Sequence, residues 1–125
     1  MIVLDASALL AFLFREPGHE RVAEVLATAV MSTVNLSEVL GRFVRDGRDP
    51  SVLLEPLRAH GLRWFPFTDR HALTASALVP RTRPFGLSLG DRACLALGLE
   101  LGLPVMTADR VWASVDLAIT VETIR

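Results

Sequence analysis

The chain contains 125 residues, carries a formal net charge of −1 and is 51% hydrophobic. This length suits one domain with a buried core and is short for two, so residues 1–125 are interpreted as a single domain. The near-neutral charge argues against a nucleic-acid binder that depends on a broad positive field, although local arginine clusters can still contact phosphates.

Short apolar runs alternate with helical periodicity in the first half of the chain. Residues 1–4 predict a strand that ends at Asp5, and a helical apolar pattern then continues until Pro17 and Gly18 stop it. The same criteria predict a helix over 19–29, a buried strand over 30–33, a helix over 35–46 that Gly47 ends, and a helix over 50–60. This half therefore contains two predicted strands, each followed by helices.

The second half continues the alternation. Its predicted elements are a strand over 62–67, a helix from Thr68 or Asp69 through Val79, a loop over 80–86, a buried helix over 90–101, a strand over 104–107, helical turns over 108–114 and a strand over 117–121. Alternating strands and helices are typical of an open, mostly parallel sheet that helices cover on both faces. We therefore predict an α/β fold with five strands.

Several features bear on where the protein works and what it contacts. The longest apolar run, residues 6–14, is far shorter than the ~20 residues that a membrane-spanning helix needs. The N-terminus lacks the features of a secretory signal, so we expect a cytoplasmic protein that does not bind membranes. The single cysteine, Cys94, lies in an apolar helical run, where a buried and inert thiol is expected. The hydrophobic fraction, with glycine added, exceeds the usual range and predicts a buried partner surface.

Four acidic residues follow predicted strands or begin predicted helices. Asp5 ends the first strand and Glu38 lies in the first turns after the second. Asp91 begins the buried helix and Asp109 follows the fourth strand. Because the carboxyl ends of parallel strands meet at the edge of a sheet where ligands bind, these four acids form one candidate site.

Each acid also has a purely structural interpretation. Side chains of this kind cap helices, and the candidates are Asp5 and Asp109 as N-caps and the pairs Asn35–Glu38 and Ser88–Asp91 as capping boxes. Glu38 could instead be an exposed residue that pairs with Arg42 or Arg45. Taken singly, each acid is explained by capping or by surface pairing.

Taken together, four converging carboxylates would repel one another and raise each other's pKa unless a cation neutralised them. Oxygen ligands favour Mg²⁺ or Mn²⁺, and the lack of cysteine or histidine at these positions disfavours zinc. Such an ion, or a pair of ions, lowers the pKa of a bound water and stabilises the attacking and leaving oxygens of a phosphodiester. The resulting hypothesis is hydrolysis of a nucleic-acid backbone by metal-activated water.

Other enzymes with an acidic α/β site fit the sequence less well. Receiver domains and haloacid-dehalogenase-like phosphatases also bind Mg²⁺ at an aspartate after the first strand, but both depend on a lysine. All 13 basic residues of this chain are arginine. Ser7 stands where those phosphatases have a second aspartate, and no nucleophile elbow surrounds it. Ser7 is better interpreted as a hydroxyl that supports the acidic site.

The chain resembles the PIN-domain ribonucleases, specifically the VapC-type toxins of bacterial toxin–antitoxin pairs. The resemblance lies in four blocks that together extend over nearly the whole chain, IVLDASALLAFLFREPG, STVNLSEVLGRF, LSLGDRACLALGLELGLPVMTADRVW and VDLAITVETIR. It implies a single PIN domain with a three-layer fold and a five-stranded parallel sheet. It further implies Asp5 and Asp91 as direct metal ligands, Glu38 and Asp109 as acids that complete the pocket directly or through water, and Ser7 and Thr107 as residues that orient ligands or waters.

The same resemblance implies a Mg²⁺- or Mn²⁺-dependent endoribonuclease that acts on structured RNA. The implied partners are a second copy of the chain, in a homodimer, and a small VapB-like antitoxin that occludes the active-site groove. The candidate RNA contacts are Arg42, Arg92 and Arg110, of which Arg92 adjoins Asp91. Asp116 is interpreted as a solvated turn residue and Trp112 as a packing residue. The alternative is a catalytically silent PIN fold that binds RNA or an antitoxin-like protein.

Overall fold

Five parallel strands form the centre of the computed structural model, which describes residues 1–125. The strands are β1 (Ile2–Leu4), β2 (Ala29–Ser32), β3 (Arg63–Phe65), β4 (Val105–Thr107) and β5 (Val121–Thr123). Their order across the sheet is β3-β2-β1-β4-β5, and every neighbouring pair is parallel. The chain therefore builds outward from β1 in both directions, which creates a topological switch point between β1 and β4.

Seven helices cover the two faces of this sheet. They are α1 (Ala6–Phe14), α2 (His19–Val25), α3 (Thr33–Arg45), α4 (Leu54–Ala59), α5 (Asp69–Ala77), α6 (Val79–Thr82) and α7 (Leu89–Leu101). Short 3₁₀ turns occupy Leu26–Thr28, Pro50–Leu53, Arg83–Phe85 and Arg110–Ser114. None of these helices is both long enough and apolar enough to cross a membrane.

Alternate residues of the three central strands, β2, β1 and β4, pack into two separate hydrophobic clusters. Ile2 and Leu4 of β1 belong to a cluster that also contains side chains of α1, α2, α3 and α4. Val3, which points to the other face, joins Leu95 of α7 and the fully buried Trp112 in the second cluster. Side chains of a strand alternate between the faces of a sheet, so two packed faces require apolar residues at successive positions. The predicted three-layer α/β fold with a five-stranded parallel sheet is confirmed.

Three predicted boundaries were wrong. The predicted loop over 80–86 is mostly helical, because Pro80 and Pro84 lie in the first turns of α6 and of a 3₁₀ turn, where proline is tolerated. The helix predicted over 19–29 ends at Val25, and Ala29 already belongs to β2. The last strand begins at Val121, which pairs with Val105, so most of the predicted strand over 117–121 lies outside the sheet.

The third helix also begins earlier than predicted. Its N-cap is Ser32, whose Oγ accepts a hydrogen bond of 3.2 Å from the Val34 amide. Asn35 and Glu38 therefore lie inside α3, and the predicted capping box between them was wrong. The apolar stripe through Leu36 and Val39 favoured the later start, but a helix can begin before its buried face does.

Candidate metal centre

A cavity of about 520 Å³ opens at the carboxyl edge of the sheet, beside the ends of β1 and β4. All four predicted acids line it, namely Asp5, Glu38, Asp91 and Asp109. Ser7, Gly41, Arg42 and Arg45 also contribute to its lining. A second cavity of about 480 Å³, lined by Gly98, Leu103 and Ile119 among others, contains no titratable side chain. The acidic cavity is therefore the candidate functional site.

Asp5 is the most constrained of the four acids. It is the N-cap of α1, as predicted, and its Oδ1 accepts a hydrogen bond of 2.8 Å from the Ala8 amide. Ser7 Oγ lies 2.7 Å from the same oxygen, and Thr107 Oγ1 donates to Asp5 Oδ2 at 2.6 Å. Only 4% of Asp5 is exposed. A short parallel strand and a helix start thus hold this carboxylate rigidly at the switch point.

The two hydroxyl groups beside Asp5 are themselves oriented by backbone amides. The Ala108 amide donates to Ser7 Oγ at 2.9 Å, and the Asp109 amide donates to Thr107 Oγ1 at 3.1 Å. A hydroxyl that accepts from an amide still has its own hydrogen to donate, and here that hydrogen is available to Asp5. Ser7 and Thr107 therefore connect the end of β1 to the end of β4 through Asp5. Their role in orienting metal ligands or waters stays a prediction.

Burial raises the pKa of Asp5 from its ordinary value of 3.8 to about 6. Hydrogen bonds from Thr107, Ala8 and Ser7 oppose this effect by stabilising the charged form, and the negative charge of Asp91 adds to it. The charged carboxylate is therefore poorly stabilised by the protein alone. A cation at this position would favour the charged form.

Asp91 begins α7 in the capping box that the sequence predicts. The Ser88 amide donates to Asp91 Oδ2 at 2.8 Å, and the Asp91 amide donates to Ser88 Oγ at 3.2 Å. Burial raises the pKa of Asp91, Asp109 raises it further, and the Ser88 hydrogen bonds and Arg92 lower it. Capping thus uses one carboxylate oxygen of Asp91 and leaves the other available to a ligand.

Glu38 and Asp109 complete the acidic lining. Glu38 is exposed on the cavity side of α3, and its Oε1 accepts a hydrogen bond of 2.9 Å from Asn35 Nδ2. Partial burial of the Glu38 carboxyl group raises its pKa, Asn35 lowers it, and Asp91 raises it again. Asp109 accepts a hydrogen bond of 3.0 Å from the Val111 amide as the predicted N-cap of a 3₁₀ turn. The charge of Asp91 thus raises the pKa of both Asp5 and Glu38, and the charge of Asp109 raises that of Asp91.

The donor set fits a hydrated hard cation. No three acidic, histidine or cysteine side chains are already drawn together as a complete ligand set. Mg²⁺ commonly binds through only one or two carboxylates and keeps several waters, so a complete protein cage is not required. Asp5 and Asp91 are the candidates for direct contact, with Glu38 and Asp109 in direct or water-mediated contact. All four supply oxygen atoms, which favours Mg²⁺ or Mn²⁺ over zinc.

The predicted RNA-contacting arginines differ in their surroundings. Arg42 lines the cavity, where its guanidinium lies 4.9 Å from the centre of the Phe14 ring and Nε lies 3.1 Å from Asp46 Oδ2. Arg92 instead donates to the Ala75 carbonyl of α5 at 3.1 Å, and Arg110 donates to the carbonyl of the last residue at 2.9 Å. Only Arg42 of these three therefore lines the acidic cavity.

Three residues in or next to the cavity wall were interpreted incompletely from the sequence: Arg45 only as a possible ion-pair partner of Glu38, Asn35 only as part of a capping box, and Gly90 without any role. Arg45 extends from the last turn of α3, and 72% of its side chain is exposed. Asn35 bridges α3 and α7, and Gly90 lies against the Glu38 carboxylate. Arginine at helical spacing from Glu38 was a usable signal for Arg45. No sequence signal identifies the other two, because their contacts depend on how α3 packs on α7.

Other predictions about single residues are confirmed. Trp112 is fully buried in the second hydrophobic cluster, and Asp116 is exposed and does not line the acidic cavity. Cys94 is fully buried, and burial raises the pKa of its thiol well above 9.0. A thiol of this kind is not a nucleophile at neutral pH.

The sequence profile of the PIN domain family matches residues 2–117. This chain belongs to the PIN-domain family. PIN domains are generally nucleases that depend on divalent metals. Membership of this family also confirms the PIN fold that the sequence resemblance predicted. No curated protein sequence matches this PIN domain.

Solved structures with the same fold include several toxins. A toxin–antitoxin complex from Klebsiella pneumoniae has a TM-score of 0.76 at 15% identity, with 100% of this PIN domain and 98% of that chain covered. VapBC2 from Rickettsia felis, bound to a promoter DNA fragment, has a TM-score of 0.76 at 14% identity and 98% coverage of both chains. VapC20 from Mycobacterium tuberculosis, a sarcin-ricin loop cleaving toxin, has a TM-score of 0.72 at 18% identity, with 96% and 99% covered.

Replacing Ser88 and Asp91 separately should distinguish capping from metal binding in this PIN domain. Ser88→Ala removes a cap, so we expect a loss of about 1 kcal/mol in the free energy of unfolding, with or without Mn²⁺. Asp91→Ala also relieves repulsion among the acids, so we expect a smaller loss or a gain without metal, together with reduced stabilisation by Mn²⁺. Urea denaturation at pH 7 measures both values. If both variants lost the same free energy of unfolding with and without Mn²⁺, Asp91 would act only as a helix cap.

Proposed function

We propose that this PIN domain is a Mg²⁺- or Mn²⁺-dependent endoribonuclease and the toxin of a VapC-type toxin–antitoxin pair. The observation that carries the proposal is the convergence of four carboxylates on one cavity at the carboxyl edge of the sheet. Family membership supports nuclease chemistry, and the fold shared with toxins from toxin–antitoxin complexes supports the biological role. Ser7 Oγ, the hydroxyl that lines the cavity, is held between the Asp5 carboxylate and the Ala108 amide, which supports attack by water and not by the protein.

Bound Mg²⁺ or Mn²⁺ supplies an activated water and neutralises charge on the attacked phosphodiester. The protein's own contribution is to hold acids in fixed positions. Asp5 is fixed by Ser7, Thr107 and the amide of Ala8, and Asp91 is fixed by its capping box. Fixed carboxylates lose little further freedom when a ligand binds, which strengthens both affinity and orientation.

The acidic cavity would repel an RNA backbone without nearby positive charge. Arg42 and Arg45 lie on the same wall of the cavity, one turn and two turns after Glu38. Arg42 is held by Asp46 and by the Phe14 ring, whereas Arg45 lies 3.8 Å from Asp46 and remains mostly exposed. We assign to these two arginines the contact with RNA phosphates next to the scissile bond. Arg92 and Arg110 are candidates for contacts farther along the RNA.

We further propose a homodimer and a small antitoxin of the VapB type as partners. Large apolar side chains are exposed on this domain, including Leu73 at 74%, Val52 at 61% and Val44 at 60%. Single exposed apolar side chains are ordinary on a protein surface, so the support for an antitoxin partner is the fold shared with solved toxin–antitoxin complexes. Light scattering at high micromolar concentration tests the dimer, and a strict monomer would contradict it.

Incubation of the purified protein with total RNA from its own cell tests the proposed activity. We expect cleavage with Mg²⁺ or Mn²⁺ and none with EDTA. Because water attacks in place of the neighbouring 2′-hydroxyl, the products should carry no 2′,3′-cyclic phosphate, which also excludes contaminating metal-independent ribonucleases. Binding of Mn²⁺ without any RNA cleavage would favour the alternative, a catalytically silent module that holds RNA or an antitoxin-like protein.

Replacing Arg45 with glutamine should weaken RNA binding without affecting metal binding. Loss of one phosphate contact should reduce the magnitude of the slope of log affinity against log salt concentration by about 1. It should also weaken binding to different RNA sequences by a similar factor. The matched control is Arg63→Gln, because Arg63 is exposed at the start of β3, at the opposite edge of the sheet from the acids. Salt-dependent RNA binding in Ca²⁺ is the measurement. Equal salt slopes in the parent and in Arg45→Gln would contradict this assignment.

A further inference from the structure

Asn35 connects the exposed Glu38 to the start of α7. It lies one helical turn before Glu38 in α3, and only 1% of it is exposed. Its Nδ2 donates two hydrogen bonds, one of 2.9 Å to Glu38 Oε1 and one of 3.0 Å to the Gly90 carbonyl. Both neighbours are acceptors, so the side-chain amide must present its nitrogen to them. The buried amide therefore fixes one oxygen of the Glu38 carboxylate relative to α7.

Gly90 provides the space in which that carboxylate lies. The three heavy atoms nearest to a Cβ built on Gly90 all belong to the Glu38 carboxyl group, and its Cδ would lie only 2.6 Å away. Any larger residue would force the carboxylate to move, because no ordinary contact is that short. Gly90 adjoins Asp91, so the same turn of α7 carries one acid and accommodates another.

An unrestrained Glu38 would be a poor ligand. Glu38 is exposed, and three rotatable bonds separate its carboxylate from the backbone, so it would lose much freedom on binding a cation. Asp5 and Asp91 gain their rigidity from helix caps, but Glu38 lies inside α3 and has no cap to hold it. The hydrogen bond from Asn35 and the contact with Gly90 restrict the Glu38 carboxylate in place of a helix cap.

We propose that Asn35 and Gly90 are positioning residues that hold the Glu38 carboxylate in the acidic cavity and thereby set its affinity for a divalent cation. This inference rests on the proposed function, because it assumes that the cavity binds such a cation. Asn35 acts through Glu38, and Gly90 acts by leaving room for it. Neither residue is proposed to contact the RNA or the cation itself. Partners that orient ligands in this way typically change metal affinity by about 10- to 100-fold when they are replaced.

Mn²⁺ binding to four forms of the protein tests the role of Asn35. Electron paramagnetic resonance of free Mn²⁺ at pH 7 gives the affinity of the parent, Asn35→Ala, Glu38→Ala and the double variant. We expect Asn35→Ala to weaken Mn²⁺ binding by about 10-fold in the parent and by less than about 2-fold when Glu38 is already alanine. An equal loss in both backgrounds would overturn the proposal, because Asn35 would then act only by joining α3 to α7.

A second variant tests the role of Gly90 even if Asn35→Ala does not fold. Gly90→Ala should weaken Mn²⁺ binding by about 10-fold while the midpoint of urea unfolding stays level or rises, because alanine favours a helix more than glycine does. Gly41→Ala is the matched control, since Gly41 lies in α3 beside the same cavity and a Cβ there meets nothing within 4 Å. Unchanged Mn²⁺ affinity in Gly90→Ala would overturn its positioning role. A parent that binds no Mn²⁺ would overturn the proposed function itself.

Discussion

Asp5→Asn should lower the rate of metal-dependent RNA cleavage by about 10²- to 10³-fold and should also stabilise the metal-free protein at pH 7. The loss follows because a direct ligand contributes several kcal/mol to stabilising the transition state, and each 1.4 kcal/mol is about tenfold in rate. The stabilisation follows because asparagine has the same shape and still caps α1, but carries no buried charge. Activity and stability should therefore change in opposite directions.

Single-turnover cleavage and urea denaturation of the same preparations measure the two effects. Asp116→Asn is the matched control, since it makes the same chemical change at an exposed position outside the cavity. We expect both properties of this control to equal those of the parent. If Asp5→Asn lost activity only because it unfolded, its stability would fall instead, and the role of Asp5 as a ligand would lose its support.

The stability of the metal-free protein should fall as the pH rises from about 4 to about 7. The pKa of Asp5 is raised from 3.8 to about 6 in the folded state, so between these values the folded protein keeps a proton that the unfolded chain has released. The stabilisation that this bound proton provides is fully present below about pH 4. It is lost progressively as the pH rises to about 6 and above. One pKa unit corresponds to about 1.4 kcal/mol, so the loss due to Asp5 is on the order of 3 kcal/mol. The raised pKa values of Glu38 and Asp91 act in the same direction.

Urea denaturation of the parent and of Asp5→Asn across this pH range isolates the contribution of Asp5. The difference between the two stabilities should be small near pH 4 and should reach its full size near pH 7. Saturating Mn²⁺ should offset the loss in the parent above pH 6, because the charged carboxylates are then its ligands, and should have little effect near pH 4. Parallel stability curves for the two proteins would contradict the raised pKa of Asp5.

The convergence of the four acids on one cavity could be predicted from the sequence, because local signals and a general rule agree. Asp5 and Asp109 follow buried strands, and parallel strands bring their carboxyl ends to one edge, so their convergence did not require knowledge of the strand order. The helix start at Asp91 was predicted from the capping box with Ser88, which is a local pattern, and that start places Asp91 beside the other acids. These signals depend on residues that are close in sequence or on a property common to all parallel sheets.

Other features depend on tertiary packing and could not be predicted in the same way. Asn35 was interpreted as part of a capping box, but its amide bonds Gly90, which is 55 positions away in the sequence. The last strand lies later than predicted because its register is fixed by Val105 of β4, while the apolar Leu117 and Ile119 pack against the second cluster without joining the sheet. An apolar pattern predicts burial, but it does not say which buried residues pair.

The position of Mn²⁺ in a crystal grown at pH 7 shows whether the four carboxylates bind a divalent cation. Anomalous scattering near the manganese absorption edge locates the ion independently of any assumption about its ligands. We expect a peak in the acidic cavity, in contact with the carboxylates of Asp5 and Asp91 and adjacent to Glu38 and Asp109. We also expect that peak to be lost in Asp91→Ala. If saturating Mn²⁺ gave no peak in this cavity, the acids would not form the metal site. A peak that persisted unchanged in Asp91→Ala would show that Asp91 is not a ligand.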